Sequence, residues 1–171
     1  MGGLRGLVVA VGLCGVLGSP VRAAPPRALE ALVRADRATL EALYAGGTVD
    51  AIPTGYLEGR VIPDPGSRHT VRRSKLLGLV WKGKVIQDDQ MINRLAGGRE
   101  AVPARVYIGE SWFDGKPAII LDYTGSKFFG NVRDEFRAIG PGLFVGLTYL
   151  RECPTPRLAT YFALEAGCGG R

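Results

Sequence analysis

Between residues 24 and 45 apolar side chains recur at spacings of three, four and seven, with Leu29, Leu32, Val33, Leu40, Leu43 and Tyr44 on one side. Arg34, Asp36, Arg37 and Glu41 take the other side, so the period predicts one amphipathic helix. Pro25 and Pro26 suit its first turn, where a missing N–H costs nothing, and Gly46-Gly47 ends it. The polar side mixes both charges and carries no basic stripe, which favours packing on the body of a domain over lying on a membrane.

Past Gly47 the period shortens to two, and turn residues cut the chain into short strands at 55–62, 81–86, 104–108, 117–123, 143–151 and 158–166. Residues 74–80 open on Ser74 and read as a short helix leading into Trp81. Asp114-Gly115 is a tight-turn pair, so 102–112 and 116–123 are expected to form an antiparallel hairpin. The last two strands are apolar on both faces: Leu143, Val145, Leu147 and Tyr149 alternate with Phe144, Gly146, Thr148 and Leu150, and 158–165 behaves alike. Such strands need cover on both sides, supplied by the N-terminal helix outside and a barrel lumen within. The expected fold is therefore mainly β: an antiparallel barrel of about six to eight strands, closed so that no edge is exposed, with an N-terminal amphipathic helix. An α+β roll, a curved open sheet around a helix, is the alternative.

Arg5 precedes an uncharged run over 6–17, Gly18-Ser19-Pro20 breaks it, and Val21-Arg22-Ala23 places small residues at a cleavage site. This pattern predicts a signal peptide over 1–23, hence a periplasmic or secreted protein, with the helix at 24–47, the barrel at 48–166 and a flexible tail at 167–171. The run falls short of the roughly 20 apolar residues that span a bilayer, so no stable membrane span is expected. Leu13 before Cys14 is too bulky for a lipid-attachment site. In an oxidising compartment Cys153 and Cys168 become a candidate disulfide, closing a loop of about 15 residues worth about 3 kcal/mol by the loop-entropy model.

The 171 residues are 46% hydrophobic and 22% charged, the proportions of one folded domain, which excludes collagen and low-complexity disorder. The formal net charge is +6, and Arg5 and Arg22 would leave with the leader. So modest a surplus, spread along the chain, does not predict a nucleic-acid partner. The tightest basic group, Arg68-His69-Thr70-Val71-Arg72-Arg73, reads as a solvated loop, with anionic head-group contact as its functional alternative. With one histidine and no Cys-x-x-Cys, His-x-x-x-His, Gly-x-Ser-x-Gly or Walker loop, the chain calls for no metal and no cofactor. No pattern sets an oligomeric state.

The densest polar segment is Asn131-Val132-Arg133-Asp134-Glu135-Phe136-Arg137. If helical, it sets Arg133 and Arg137 on one side; if extended, Arg133, Glu135 and Arg137 alternate with Asp134 and Phe136. It is either a salt-bridged surface or a barrel mouth where Arg133, Arg137 or Arg151 holds an anionic head group while the lumen takes an apolar tail. Asp122 ends the most apolar strand and precedes Tyr123, making it a structural acceptor or a general base. Trp81, Tyr107, Trp112 and Tyr149 are strand aromatics that either pack in a core or line a ligand cavity.

The succession Trp81-Lys82-Gly83-Lys84, Asn93-Arg94, Ala104-Arg105-Val106, 116–123, 133–137, Leu143-Phe144-Val145-Gly146 and Tyr161-Phe162-Ala163-Leu164-Glu165 resembles the GXWXG-type small proteins and their companion domain of unknown function. It has Gly78-Leu79-Val80-Trp81 where that family has Gly-x-Trp. The resemblance spans about residues 76–166 and implies a lipocalin-like, calycin-like barrel with no catalytic residue to carry over. The leading expectation for function is an exported binding protein for a small hydrophobic molecule, such as a lipid or fatty acid, with Trp81, Tyr107, Asp122, Tyr123, Arg133, Arg137, Tyr149 and Arg151 as candidate contacts. The alternative is a cofactor-free isomerase, cyclase or hydrolase acting on an apolar substrate, with Asp122 as base and Tyr123, Arg133 or Arg137 as partners.

Overall fold

The computed structural model describes residues 28–167, so the expected leader over 1–23, with Cys14, and Cys168, the partner proposed for Cys153, lie outside the described residues. Where one helix was expected there are two, α1 (Ala28–Arg34) and α2 (Arg37–Gly46). The break has a local cause: Asp36 is extended (φ −80°, ψ 172°) and its carboxylate accepts the Thr39 N–H at 2.8 Å, capping a fresh helix instead of continuing the old one. The apolar stripe survives the break, for Leu29, Leu32, Val33, Leu40 and Tyr44 are all buried.

The sheet is a closed eight-stranded antiparallel meander: β1 (Gly55–Ile62), β2 (Trp81–Gln87), β3 (Gln90–Leu95), β4 (Glu100–Glu110), β5 (Pro117–Asp122), β6 (Val132–Gly140), β7 (Leu143–Leu150) and β8 (Arg157–Ala166), with β8 pairing back onto β1. The hairpin around Asp114-Gly115 forms as expected, with Gly115 at φ +73°. Two strands exceed the expected set: β3, short and without a period of two in its sequence (Gln90-Met91-Ile92-Asn93-Arg94-Leu95), and β6, whose extended form settles the ambiguity of 131–137. The third helix, α3 (Thr70–Leu77), starts earlier than expected and takes in most of the basic segment, leaving residues 78–80 as a turn. Among the described residues no helix is long and apolar enough to cross a membrane.

Two apolar cores result, one on each side of the barrel wall. The outer core seats α1 and α2 on Ile62, Ala118, Ile120, Val145, Leu147, Tyr149, Tyr161 and Ala163. The inner core fills one half of the lumen with Leu57, Ile86, Met91, Ala104, Val106, Ile119, Phe136, Phe144 and Leu164, and Val49 and Ile52 of the connection before β1 pack against it. The doubly apolar strands β7 and β8 are thus covered on both faces. In a meander every second connection lies at the same end, so β1–β2, β3–β4, β5–β6 and β7–β8 surround one end of the lumen, the half left open.

Candidate functional site

The open half is a cavity of about 320 Å³ walled by Val61, Trp81, Leu95, Val102, Phe129, Val132, Thr160 and Phe162. Its floor is polar, made by Lys84, Asn93, Tyr123, Asp134 and Thr148. Alternation explains most of the set: on β6, Asp134 and Phe136 share the inward face, and on β5 so do Ile119, Leu121 and then Tyr123. Trp81 and Lys84 cannot share a face by alternation alone. A bulge supplies the extra step, because the β2–β3 register passes from Trp81↔Leu95 to Gly83↔Arg94 and leaves Lys82 unmatched. Only glycine fits at the next position: Gly83 has φ +141°, and a Cβ there would lie 2.0 Å from the Leu57 carbonyl oxygen. Glycine also makes room for the aromatic wall, since the Trp81 ring lies against Gly59 and the Phe162 ring against Gly146, where a Cβ would come within 2.3 and 2.1 Å of ring carbon.

Lys84 is 2% exposed, yet its ammonium is fully partnered. Nζ donates to Tyr123 Oη at 2.9 Å, Asp134 Oδ2 at 2.9 Å and Asn93 Oδ1 at 3.3 Å. Tyr123 donates to Asp134 Oδ2 at 3.1 Å, Thr148 donates to Asp134 Oδ1 at 2.7 Å, and Asn93 Oδ1 also accepts the Trp81 indole N–H at 2.9 Å. The ring centroids of Phe162, Trp81 and Tyr123 lie 5.3, 5.5 and 5.6 Å from Nζ, which adds cation–π attraction. Burial pulls the Lys84 pKa down, but the Asp134 carboxylate and the Tyr123 hydroxyl more than offset it, so the ammonium holds its proton above the usual lysine range. Burial, then the Asp134 charge, pushes the Tyr123 phenol up to about 12. The floor is a closed network with its charges paired, and the wall above it that a ligand would touch is almost wholly apolar.

Of the residues expected at the site, Trp81 and Tyr123 reach this cavity and the others do not. Asp122, next to Tyr123, necessarily points to the opposite face, where it accepts from Arg151 Nη2 at 2.9 Å and the Thr124 N–H at 3.0 Å. Those contacts and the Arg151 charge outweigh its partial burial and hold its carboxyl below the usual range. Asp122, Tyr123 and an arginine therefore do not converge on one pocket. Arg133 faces outward, donating to Glu135 Oε2 at 2.5 Å and the Glu110 carbonyl at 2.7 Å, with its guanidinium 4.2 Å from the Trp112 ring centroid. Arg137, 1% exposed, grips Asp114 through two bonds of 2.6 and 2.8 Å and also donates to the carbonyls of Tyr44, Lys116 and Pro117. Tyr149 packs edge-on against Trp112 on the outer wall, and Tyr107 is 38% exposed there. Arg151 donates to the Gly130 and Val132 carbonyls besides Asp122, bracing the β5–β6 connection from outside.

Lys84, Asn93, Asp134 and Thr148 were not singled out from the sequence. The extended reading of 131–137 does set Asp134 beside Phe136, a carboxylate sharing a face with a core aromatic. For Lys84 the signal is the glycine inside Trp81-Lys82-Gly83-Lys84, the mark of a bulge that changes which side chains turn inward.

No family model matches the chain, and no curated protein matches it in sequence. It is similar to a protein from Thermomonospora curvata of known crystal structure, with a TM-score of 0.52 and 24% identity over 81% of this chain and 93% of that one. At that identity the likeness is one of fold.

Proposed function

We propose that the chain is an exported binding protein for a small hydrophobic ligand such as a lipid or fatty acid, held in the open half of the barrel. The observation that carries this reading is the apolar cavity of about 320 Å³ above a floor whose polar groups already satisfy one another. That volume lies at the lower end of the range in which proteins enclose small ligands. A carboxylate driven down to Lys84 would have to displace Asp134, so the apolar part of the ligand enters first and any charged head stays at the mouth. The barrel implied by the resemblance to GXWXG-type proteins accords with this reading, and the leader-like pattern over 1–23 supports export.

The competing enzyme reading loses its support at Asp122, which lies outside the cavity. Lys84, held protonated among three acceptors, is poorly suited to nucleophilic attack. Native mass spectrometry of the purified protein, followed by titration with a fluorescent fatty acid, tests the proposal. Co-purified lipid or saturable uptake is expected. Repeated recovery of an empty protein that takes up no fatty acid would overturn it.

A further inference from the structure

The two ends of the barrel differ in charge and in apolar exposure. At the filled end the connections carry Asp50, Asp88 and Asp89, with Asp114 paired to Arg137, and Lys116 is their one cation among the described residues. At the open end the acids are matched: Asp64 pairs with Arg73, Glu100 with Arg94, Asp122 with Arg151 and Glu152 with Arg157. That leaves Arg68, Arg72, Lys75, Arg99 and Lys127 exposed with no acidic partner among the described residues. Beside these cations stand uncovered apolar side chains: Phe128 at 80%, Leu79 at 65%, Val80 at 62% and Leu76 at 56% exposure, and Phe129, which also lines the cavity, at 44%.

We propose that this open end docks on an anionic lipid surface, with the Leu79-Val80 and Phe128-Phe129 tips entering the head-group region and the unpaired cations lying against lipid phosphates. Clustered exposed apolar residues mark an interaction surface, and tips of this kind ringed by cations match the chemistry of an anionic bilayer interface. Each lysine or arginine near such a surface contributes about a fivefold gain in partitioning, while the acidic filled end is repelled and so sets the orientation. Docked in this way, the cavity opens toward the bilayer, and an apolar ligand can pass between lipid and lumen without crossing water. The proposal goes beyond ligand binding, since docking does not require an occupied cavity.

Co-sedimentation with vesicles of phosphatidylcholine alone and of phosphatidylcholine mixed with phosphatidylglycerol tests it. The expected result is binding to the anionic vesicles that weakens with added salt, falls at least about tenfold in Arg72→Glu/Lys75→Glu, and falls again in Phe128→Ser. Lys116→Glu, the reversal at the filled end, leaves it unchanged. All four side chains are exposed, so unchanged melting of each variant shows that the fold is intact. Equal binding to both vesicle types, no binding to either, or equal losses from reversals at the two ends would overturn docking. Fatty-acid uptake by the same variants in vesicle-free solution separates the two proposals, because docking can fail with uptake intact and uptake can fail with docking intact.

Discussion

Strand β6 divides two buried polar networks between its faces. Inward, Asp134 joins Lys84, Tyr123, Asn93 and Thr148; outward, Glu135 accepts from Tyr44, Ser111, Arg133 and the Trp112 N–H, while Arg137 clasps Asp114. Both sets combine opposite charges with aromatic rings, and each centres on a buried carboxylate, Asp134 or Glu135. They differ in what surrounds them. The outer network draws on α2, the β4–β5 connection and β6, and none of its side chains lines the lumen cavity, so it fastens the helix and that connection to the wall. The inner network draws on β2, β3, β6 and β7 and on Tyr123 just past β5, and ends at a cavity, so it sets the depth to which a ligand can enter. Burial and charge pairing alone do not distinguish a site from a rivet; the space next to the pair does.

The sharpest way to break this comparison is Glu135→Ala. It strips the buried Arg133 of its carboxylate and leaves the Tyr44 and Ser111 hydroxyls without their shared acceptor, so the expected loss is about 3–5 kcal/mol in urea or thermal unfolding. Uptake by the molecules that remain folded should be normal. Lys84→Met ranks next, costing about 3 kcal/mol because Asp134 is then buried unpaired, whereas Lys84→Met with Asp134→Leu should recover most of that stability. The double variant deepens the apolar cavity and shifts uptake toward longer chains. A double variant as unstable as the single one would show that the inner pair is needed by the fold rather than by the site.

The architecture was largely legible in the sequence because it rests on repeated local signals: period-two strands, a Gly turn, a 3.6-residue stripe. The site was less so, and particular residues show why. Arg133 and Arg137 stand out in the sequence as charges, but their parity puts them opposite Asp134, and the side of a strand that faces the lumen is set only when β8 closes on β1. Asp122 and Tyr123 look like a catalytic pair as neighbours, yet neighbours in extended chain face opposite ways. Lys84 hid behind a bulge that shifts the alternation by one residue, and the helix break at Asp36 hid in a continuous apolar stripe.

The two tryptophans offer a gentler test, one on each face of the wall. Trp81 is half-buried with one side toward the cavity and its indole N–H donated to the Asn93 side chain. Trp81→Ala should cost about half of the 3–5 kcal/mol of a core tryptophan and weaken fatty-acid uptake about tenfold, or about 1.4 kcal/mol. Trp112→Ala, which removes a ring that lies against the Arg133 guanidinium and meets Tyr149 edge-on, should lower the melting temperature and leave uptake unchanged.

The smallest effect expected is in acid, and it reads the clasp between Arg137 and Asp114. The Arg137 guanidinium, bonded twice to Asp114, holds that carboxyl below its ordinary value, so the stability it contributes is complete above the unfolded pKa of about 3.9 and is lost as pH falls through the lower folded value. Asp122, held down by Thr124 and Arg151 on the same outer face, acts in the same direction. At the alkaline end the sign reverses. Tyr123 at about 12, Lys84 and the outer Tyr44 keep protons that the unfolded chain releases near pH 10, so stability falls as pH rises beyond that point and both networks contribute. Acid is therefore the window in which the outer clasp can be tested through one residue. Asp114 lies in a surface connection and is screened by solvent, which limits its share to less than about 1 kcal/mol, a shift of roughly 2–4 °C. In melts between pH 5 and pH 2, Asp114→Asn should start lower than the wild type and lose less on acidification, the two curves converging near pH 2. Parallel curves would mean that Asp114 does not carry the acid dependence assigned to the outer clasp.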